Sequence, residues 1–339
     1  MSPRSWLITL VSFALAAAAT IYVVTSTWPA DGGGLRLPIE SHALALMVAL
    51  LELLARGAKL STGARALGVP LRLGSAIRAC LGGDFAAAVT PARSGSEPAR
   101  FLVLAEARIP VASVLLVLFV ELLLEAVSLA IVAALLALVF RESGAAMAGI
   151  VGVVGSYALF VVACTTAGVT LSRRNAKGPP PGWARRIGFD AGRWRRVQRW
   201  MRRVREGVTA ARSADRPLLG VSLLLSVAHV ALRLAVLPAL VLPAARGAAL
   251  APLVLWPLAL QYGGGMAPAP GGGGMIEVAF KHTLSATIPH ALVGASLVWW
   301  RFYTFYLYVA LGAAAAGRTV LRALRGRAVR KRERTLVTA

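Results

Sequence analysis

Two apolar stretches of this 339-residue chain are broken by proline and glycine, and carry acid and base, where a membrane helix would be expected to continue. The first runs Gly82-Gly83-Asp84-Phe85-Ala86-Ala87-Ala88-Val89-Thr90-Pro91-Ala92-Arg93-Ser94-Gly95-Ser96-Glu97-Pro98-Ala99-Arg100. The second runs Gly263-Gly264-Gly265-Met266-Ala267-Pro268-Ala269-Pro270-Gly271-Gly272-Gly273-Gly274-Met275-Ile276-Glu277. Backbone freed from helical hydrogen bonding is tolerated at membrane depth only where protein or a watery cavity receives its polar groups. Two such breaks in corresponding parts of a chain point to a transport site.

The rest of the sequence reads as membrane protein. Hydrophobic residues make up 58% and charged residues only 15%, yet the net charge is +23. A soluble domain of this length would carry more charge, more evenly spread. Here residues 173–216 hold fourteen Lys and Arg against three acids, and residues 318–334 hold eight against one. Charge concentrated in this way marks membrane sidedness and contact with anionic phospholipid headgroups, and nucleic acid is not an expected partner. Cys80 and Cys164 are far apart in apolar surroundings, and His42, His229, His282 and His290 have no metal-ligand spacing, so no disulfide, metal or cofactor is expected.

Six apolar runs are long enough to span: Trp6–Trp28, Ile39–Lys59, Pro110–Phe140, Ala145–Leu171, Pro217–Leu242 and Ile288–Gly317. The first is too long for a typical signal peptide and reads as a retained span. Lys and Arg bias puts 56–108, 173–216 and the C-terminal tail on the cytoplasmic side, with both termini there. The segment 72–108 must then begin and end inside, and 246–287 must begin and end outside. The expected fold is all-α and polytopic, with six full spans, two re-entrant helical hairpins entering from opposite faces, and an inverted repeat. Residues 1–142 form one half, with its hairpin near 72–100. Residues 143–317 form the other, with a hairpin near 250–287, and 318–339 are a basic tail. Within 183–212, Trp183, Ile187, Trp194, Val197, Met201, Val204 and Val208 recur at mostly helical steps among arginines, which predicts an amphipathic helix at the cytoplasmic surface.

The two broken motifs carry a family likeness. Pro91-Ala-Arg93-Ser-Gly95-Ser-Glu97-Pro98-Ala-Arg100, followed by a long span with Glu121 and Glu125, resembles the lysylphosphatidylglycerol synthase transmembrane region, also called the flippase-like domain. Pro268-Ala-Pro270-Gly271-Gly272-Gly273-Gly274-Met-Ile-Glu277 is similar to that family's second signature. The resemblance implies a bacterial inner-membrane protein with two re-entrant elements. In one branch of the family such a domain moves lysyl-phosphatidylglycerol between leaflets. Leu122 stands where the family often has Arg after the first acid of the long span. This chain ends soon after its last span, so it is not expected to aminoacylate lipid itself.

Charge at membrane depth is costly, on the order of 2.5–3.5 kcal/mol on insertion scales, and so requires a partner or a cavity. Glu121, Glu125 and Glu277 form an acidic set, and Arg93, Arg100, Arg233 and Arg301 a basic one. With Glu97, Gly272 and Gly274 from the broken motifs, these are the candidate substrate-binding residues, because the guanidinium fork and glycine-rich helix starts both suit phosphate. Asp84 reads either as a helix cap or as part of this set. Glu52, Arg56 and Lys59 read as local pairs near the cytoplasmic end of the second span. The leading expectation is a transporter or flippase for a charged, phosphate-bearing lipid, with no enzymatic activity. The alternatives are a scaffold for a lipid synthase or glycosyltransferase, an intramembrane lipid enzyme, and a small-solute carrier. Homo-oligomerisation or a lipid-synthase partner remains open.

Overall fold

The computed structural model describes residues 36–90, 93–107, 109–142, 144–173, 213–263 and 274–319, with isolated positions within 11–26 and 179–198. Every regular element among these residues is helical. Helical positions within 11–26 form α1. Then come α2 (Ile39–Ala66), α3 (Leu73–Ala88), α4 (Ser96–Glu106), α5 (Val111–Val139), α6 (Gly144–Arg173), α7 (Arg216–Val241), α8 (Leu250–Leu258), α9 (Met275–Leu284) and α10 (His290–Arg301). A π-helical segment, Ala259–Gly263, extends α8. A second, Phe302–Tyr306, follows α10, and α-helix resumes over 307–319. Of the expected 183–212 helix, residues 191–195 and 197–198 are described and helical, while most of its remainder, the glycine-rich run between Gly263 and Gly274 and the tail beyond 319 lie outside the described residues.

Local chemistry sets the boundaries. Gly68, at φ 73°, closes α2 with Gly68 N–H donating to Arg65 and Val69 N–H to Ala64, a Schellman ending. Asp215 caps α7 by accepting from the Leu218 N–H at 3.1 Å, and Pro217 sits in the first turn, where no donor is lost. α5 and α7 are long and apolar enough to cross a bilayer. α5 has 29 residues, which at about 1.5 Å each exceeds a hydrocarbon core of about 30 Å.

Two expectations are corrected. The second apolar run does not stop at Lys59. Leu60, Ser61, Gly63, Ala64 and Ala66 are buried, so the helix continues to Ala66 and leaves Arg56 and Lys59 well inside it. The first break is also shorter than Gly82–Arg100. Gly82, Gly83 and Asp84 are helical, and among the described residues between α3 and α4 the departure from α-helix is confined to 89, 90 and 93–95. The glycines are there for space. A Cβ on Gly82 would lie 2.9 Å from the Ala316 methyl, and one on Gly83 would lie 2.7 Å from Arg100 Cγ.

α2 and α7 pack along each other at the centre of the molecule. Gly63 faces Ser222 there, and the Ser222 hydroxyl donates to the Lys59 carbonyl at 2.9 Å. α3 and α4 form a helical hairpin, as do α8 and α9. The α3 end of the first hairpin packs on the last helix, where Arg78 donates to the Ala315 carbonyl. The second hairpin meets α1, where Gly274 (φ 80°) faces the Leu15 carbonyl and Lys281 donates to Ser26 at 2.6 Å. The largest apolar core joins α2, α7, α9 and α10 around Phe280 and Trp300.

Candidate functional site

The turn between α3 and α4 is built to present Arg93. Thr90 donates its hydroxyl to the Ala86 carbonyl at 2.7 Å and accepts from the Gly95 N–H at 2.9 Å, which folds the chain back on itself. Gly95 is required because a Cβ would lie 2.8 Å from the Thr90 side chain. Arg93 takes the left-handed conformation at φ 54°. That is unusual for a residue with a Cβ and marks a position held by its surroundings.

Arg93 borders a cavity of about 390 Å³ between α2, α3, α4, α5, α6, α7 and the π segment after α8. Its size falls in the range of small-molecule sites. Arg56, Asp84, Glu97, Arg100, Glu121, Glu125, His229 and Arg233 contribute polar lining, and Gln261 and Tyr262 close one side. Leu118, Leu122 and Tyr157 provide an apolar side.

Most of these charges are paired across helices. Arg56 grips Asp84 with two prongs, at 3.1 and 2.6 Å, so Asp84 ties α3 to α2 and caps nothing. Lys59 reaches Glu125 at 2.9 Å and Glu121 at 3.8 Å. Arg100 contacts Glu121 and also Glu97 at 3.1 Å. Arg233 meets Glu52 at 3.3 Å and donates to Gln261. His229 Nε2 lies 3.4 Å from the same Glu52 oxygen. The local reading of Glu52, Arg56 and Lys59 holds only in part, because an i,i+4 ion pair between Glu52 and Arg56 is present but long. Arg56 and Glu52 are 3.9 Å apart, and the shorter contacts of all three run to other helices.

Arg93 differs from the rest. It is exposed to the cavity and makes no ion pair or hydrogen bond with any described residue. Arg233, Asp84 and Arg56 are within electrostatic range of it. A site with one uncommitted guanidinium and several others held in networks can accept an anion without first breaking an ion pair.

The structure brings together Arg93, Glu97, Arg100, Glu121, Glu125 and Arg233. It places Glu277 and Arg301 elsewhere. Glu277 is fully buried in the first turn of α9 and meets Arg301 at 3.0 Å, outside the cavity lining. Gly274 supports the start of α9 against α1, and Gly272 lies outside the described residues. Glu52, Lys59 and His229 were not among the expected site residues. One signal pointed to them: acid and base at 52, 56 and 59 recur on one face of an apolar helix, as 229 and 233 do on another.

No match is found among curated proteins. The family comparison is positive and covers residues 9–312, from α1 to the final helix. That range contains both hairpins and every residue of the cavity. The chain is a membrane protein and belongs to the lysylphosphatidylglycerol synthase TM region family.

Proposed function

We propose that this protein moves a lipid with a charged, phosphate-bearing headgroup between leaflets, and that the headgroup passes through the Arg93 cavity while the acyl chains stay in the hydrocarbon. The family is tied to lipid synthesis and flipping, which supports a lipid substrate. One observation carries the rest. Leu122 and Tyr157 border the charged cavity, are 54% and 47% exposed, and sit near the middle of α5 and α6. If those helices span, this side opens at mid-bilayer depth towards lipid. A polar cavity with an apolar opening at that depth suits an amphiphile better than a soluble solute.

In this reading the two helical hairpins are re-entrant and enter from opposite faces, and the halves form an inverted repeat. The pairing of α2 with α7, and the packing of each hairpin on a helix of the other half, support it. Both termini face the cytoplasm of a bacterial inner membrane, where the basic segments meet anionic lipid. Arg93 and Arg233 bind phosphate, Arg100 is oriented by Glu121, and the protein transports lipid without modifying it. Rocking of one half against the other exchanges access.

The test is reconstitution into vesicles containing fluorescent phosphatidylglycerol, phosphatidylcholine or a lysine-bearing phospholipid, with leaflet exchange followed by a membrane-impermeant quencher. Exchange of a charged lipid faster than in protein-free vesicles, slowed by Leu122→Trp at the opening, is the expected result. Exchange no faster than in empty vesicles, under every pH gradient and membrane potential applied, would remove the transport reading and leave a scaffold role.

A further inference from the structure

Glu52 and His229 stand near the middle of α2 and α7, the two helices at the molecule's centre. Both are buried, Glu52 completely, and they meet at 3.4 Å. Arg233, one turn after His229, shares the same carboxylate oxygen at 3.3 Å and also lines the cavity. The tautomer compatible with Glu52 carries its hydrogen on Nε2. Nδ1 then presents a buried lone pair, and this atom has no hydrogen-bond partner among the described residues.

We infer that Glu52, His229 and Arg233 form a proton-binding site that couples proton uptake to binding of the anionic headgroup. The inference rests on the reading of the cavity as a phosphate site. With the cavity empty, Glu52 is neutralised by Arg233. Binding of phosphate to Arg93 draws in Arg233, the cavity guanidinium that acts most strongly on it, and Glu52 loses its counter-charge. His229 then takes one proton from water entering the cavity. One N–H bond forms at Nδ1, and the resulting imidazolium replaces Arg233 beside Glu52. Departure of the headgroup returns Arg233 to Glu52 and the proton to water.

The surroundings of the ring set the sign. Arg56 and Lys59 face it from α2 and Arg233 from α7, while Glu52 on α2 and Glu125 on α5 oppose them. Asp84 on α3, Arg93 in the turn, Arg100 on α4, Glu121 on α5 and Tyr262 after α8 line the same cavity, and Tyr308 lies against Glu52 and Arg56. A proton on the empty site would be added beside three cations. A bound phosphate supplies the missing negative charge, so anion and proton favour each other, and by reciprocity each raises the other's affinity. Headgroup affinity must fall as pH rises through the histidine range, by up to about tenfold per pH unit for one linked proton.

The experiment is calorimetric titration of the purified full-length protein with short-chain phosphatidylglycerol, between pH 6 and 8, in two buffers of different ionisation enthalpy. The expected result is uptake of close to one proton per lipid, affinity that weakens with rising pH, and flat affinity in His229→Asn and His229→Gln. Glycerophosphoglycerol, the same phosphodiester without acyl chains, separates the ligand sources. Binding of the lipid alone supports a lipid site, whereas equal binding and proton uptake with the headgroup alone supports the proton site and assigns a soluble phosphate. Lipid binding with no proton uptake by the unmodified protein, or an unchanged pH slope in both variants, overturns the proton site and leaves the transport reading standing. Absence of binding at every pH overturns both. The proton count comes from the unmodified protein, so it does not depend on either variant folding.

Discussion

Arg56 and Asp84 form a two-pronged ion pair, at 3.1 and 2.6 Å, between the central helix α2 and the first helix of a hairpin. Arg56 also lies over the Tyr308 ring, with 4.9 Å from its guanidinium carbon to the ring centre, so one side chain joins α2, α3 and the last helix. Removing the acid alone leaves a buried guanidinium with Glu52, 3.9 Å away, as its remaining acidic neighbour. Breaking one side of a buried pair costs about 3–5 kcal/mol, whereas replacing both sides with apolar groups of similar volume costs far less. Asp84→Ala should therefore lower the thermal stability of the detergent-solubilised protein substantially, and Arg56→Met with Asp84→Leu should recover most of it. Arg56→Lys should fall between, since an ammonium cannot reproduce the fork. Thermal melts of the four proteins check the order.

Arg93 should behave oppositely, with little stability at stake and much activity. It makes no ion pair or hydrogen bond with any described residue, and its φ of 54° disfavours a residue with a Cβ. Arg93→Gly should melt at or above the temperature of Arg93→Ala, because the left-handed conformation costs an L-residue about 1–2 kcal/mol that glycine avoids. Both should slow lipid exchange roughly 10- to 100-fold, the equivalent of about 1.5–3 kcal/mol for one charged hydrogen-bonding contact. Paired melts and exchange assays on the two variants measure both effects. Normal exchange in both would exclude Arg93 from the headgroup path.

The helices were legible because apolar runs bounded by proline, glycine and charge leave few alternatives, and the motif around Arg93 and Arg100 marked half of the cavity. The other half was hidden for a physical reason. Lys59 and Glu125 are 66 positions apart, and Glu52 and Arg233 are 181 apart, so their meeting depends on which faces α2, α5 and α7 turn to one another. An isolated sequence shows spacing within one helix, and that favoured local pairing of Glu52 with Arg56. Gly82 and Gly83 misled in the same way. Their composition suggested a break, while the packing uses them inside a helix to admit Ala316 and Arg100. Glu277 and Arg301 were each recognised as buried charges needing partners, but that they satisfy each other is visible only once α9 and α10 are in contact.

Two glycines on the first hairpin's contacts separate packing from function. A Cβ on Gly312 would overlap the Leu81 carbonyl oxygen, and backbone cannot step aside, so Gly312→Ala must push the last helix off α3. The expected cost is about 1–3 kcal/mol, seen as a lower melting temperature. A Cβ on Gly83 instead meets the Arg100 stem at 2.7 and 2.9 Å, and a flexible side chain can move. Gly83→Ala should keep most of its stability but displace the guanidinium from Glu121, and so slow lipid exchange. Equal losses of stability in both variants would contradict this division.

The Glu277 and Arg301 pair makes the same distinction at the second hairpin. Glu277 occupies the first turn of α9, where the helix dipole favours a carboxylate, and it is fully buried. Arg301 meets it at 3.0 Å just before the π segment of the last helix, with Phe305 beneath its guanidinium at 4.8 Å. The pair lies outside the cavity lining, so its first effect is to hold α9 against α10. Glu277→Ala should cost about 3–5 kcal/mol by leaving the guanidinium buried without its acid, and Glu277→Leu with Arg301→Met should restore much of the loss. In the restored double variant, lipid affinity should stay within about threefold of the unmodified protein, since this difference is under about 0.7 kcal/mol. Melting curves and lipid titrations of both variants decide the matter. A double variant that is stable and binds lipid normally but no longer exchanges it would place this pair in the conformational step, because opening the second hairpin would then need the charges that its closed form buries.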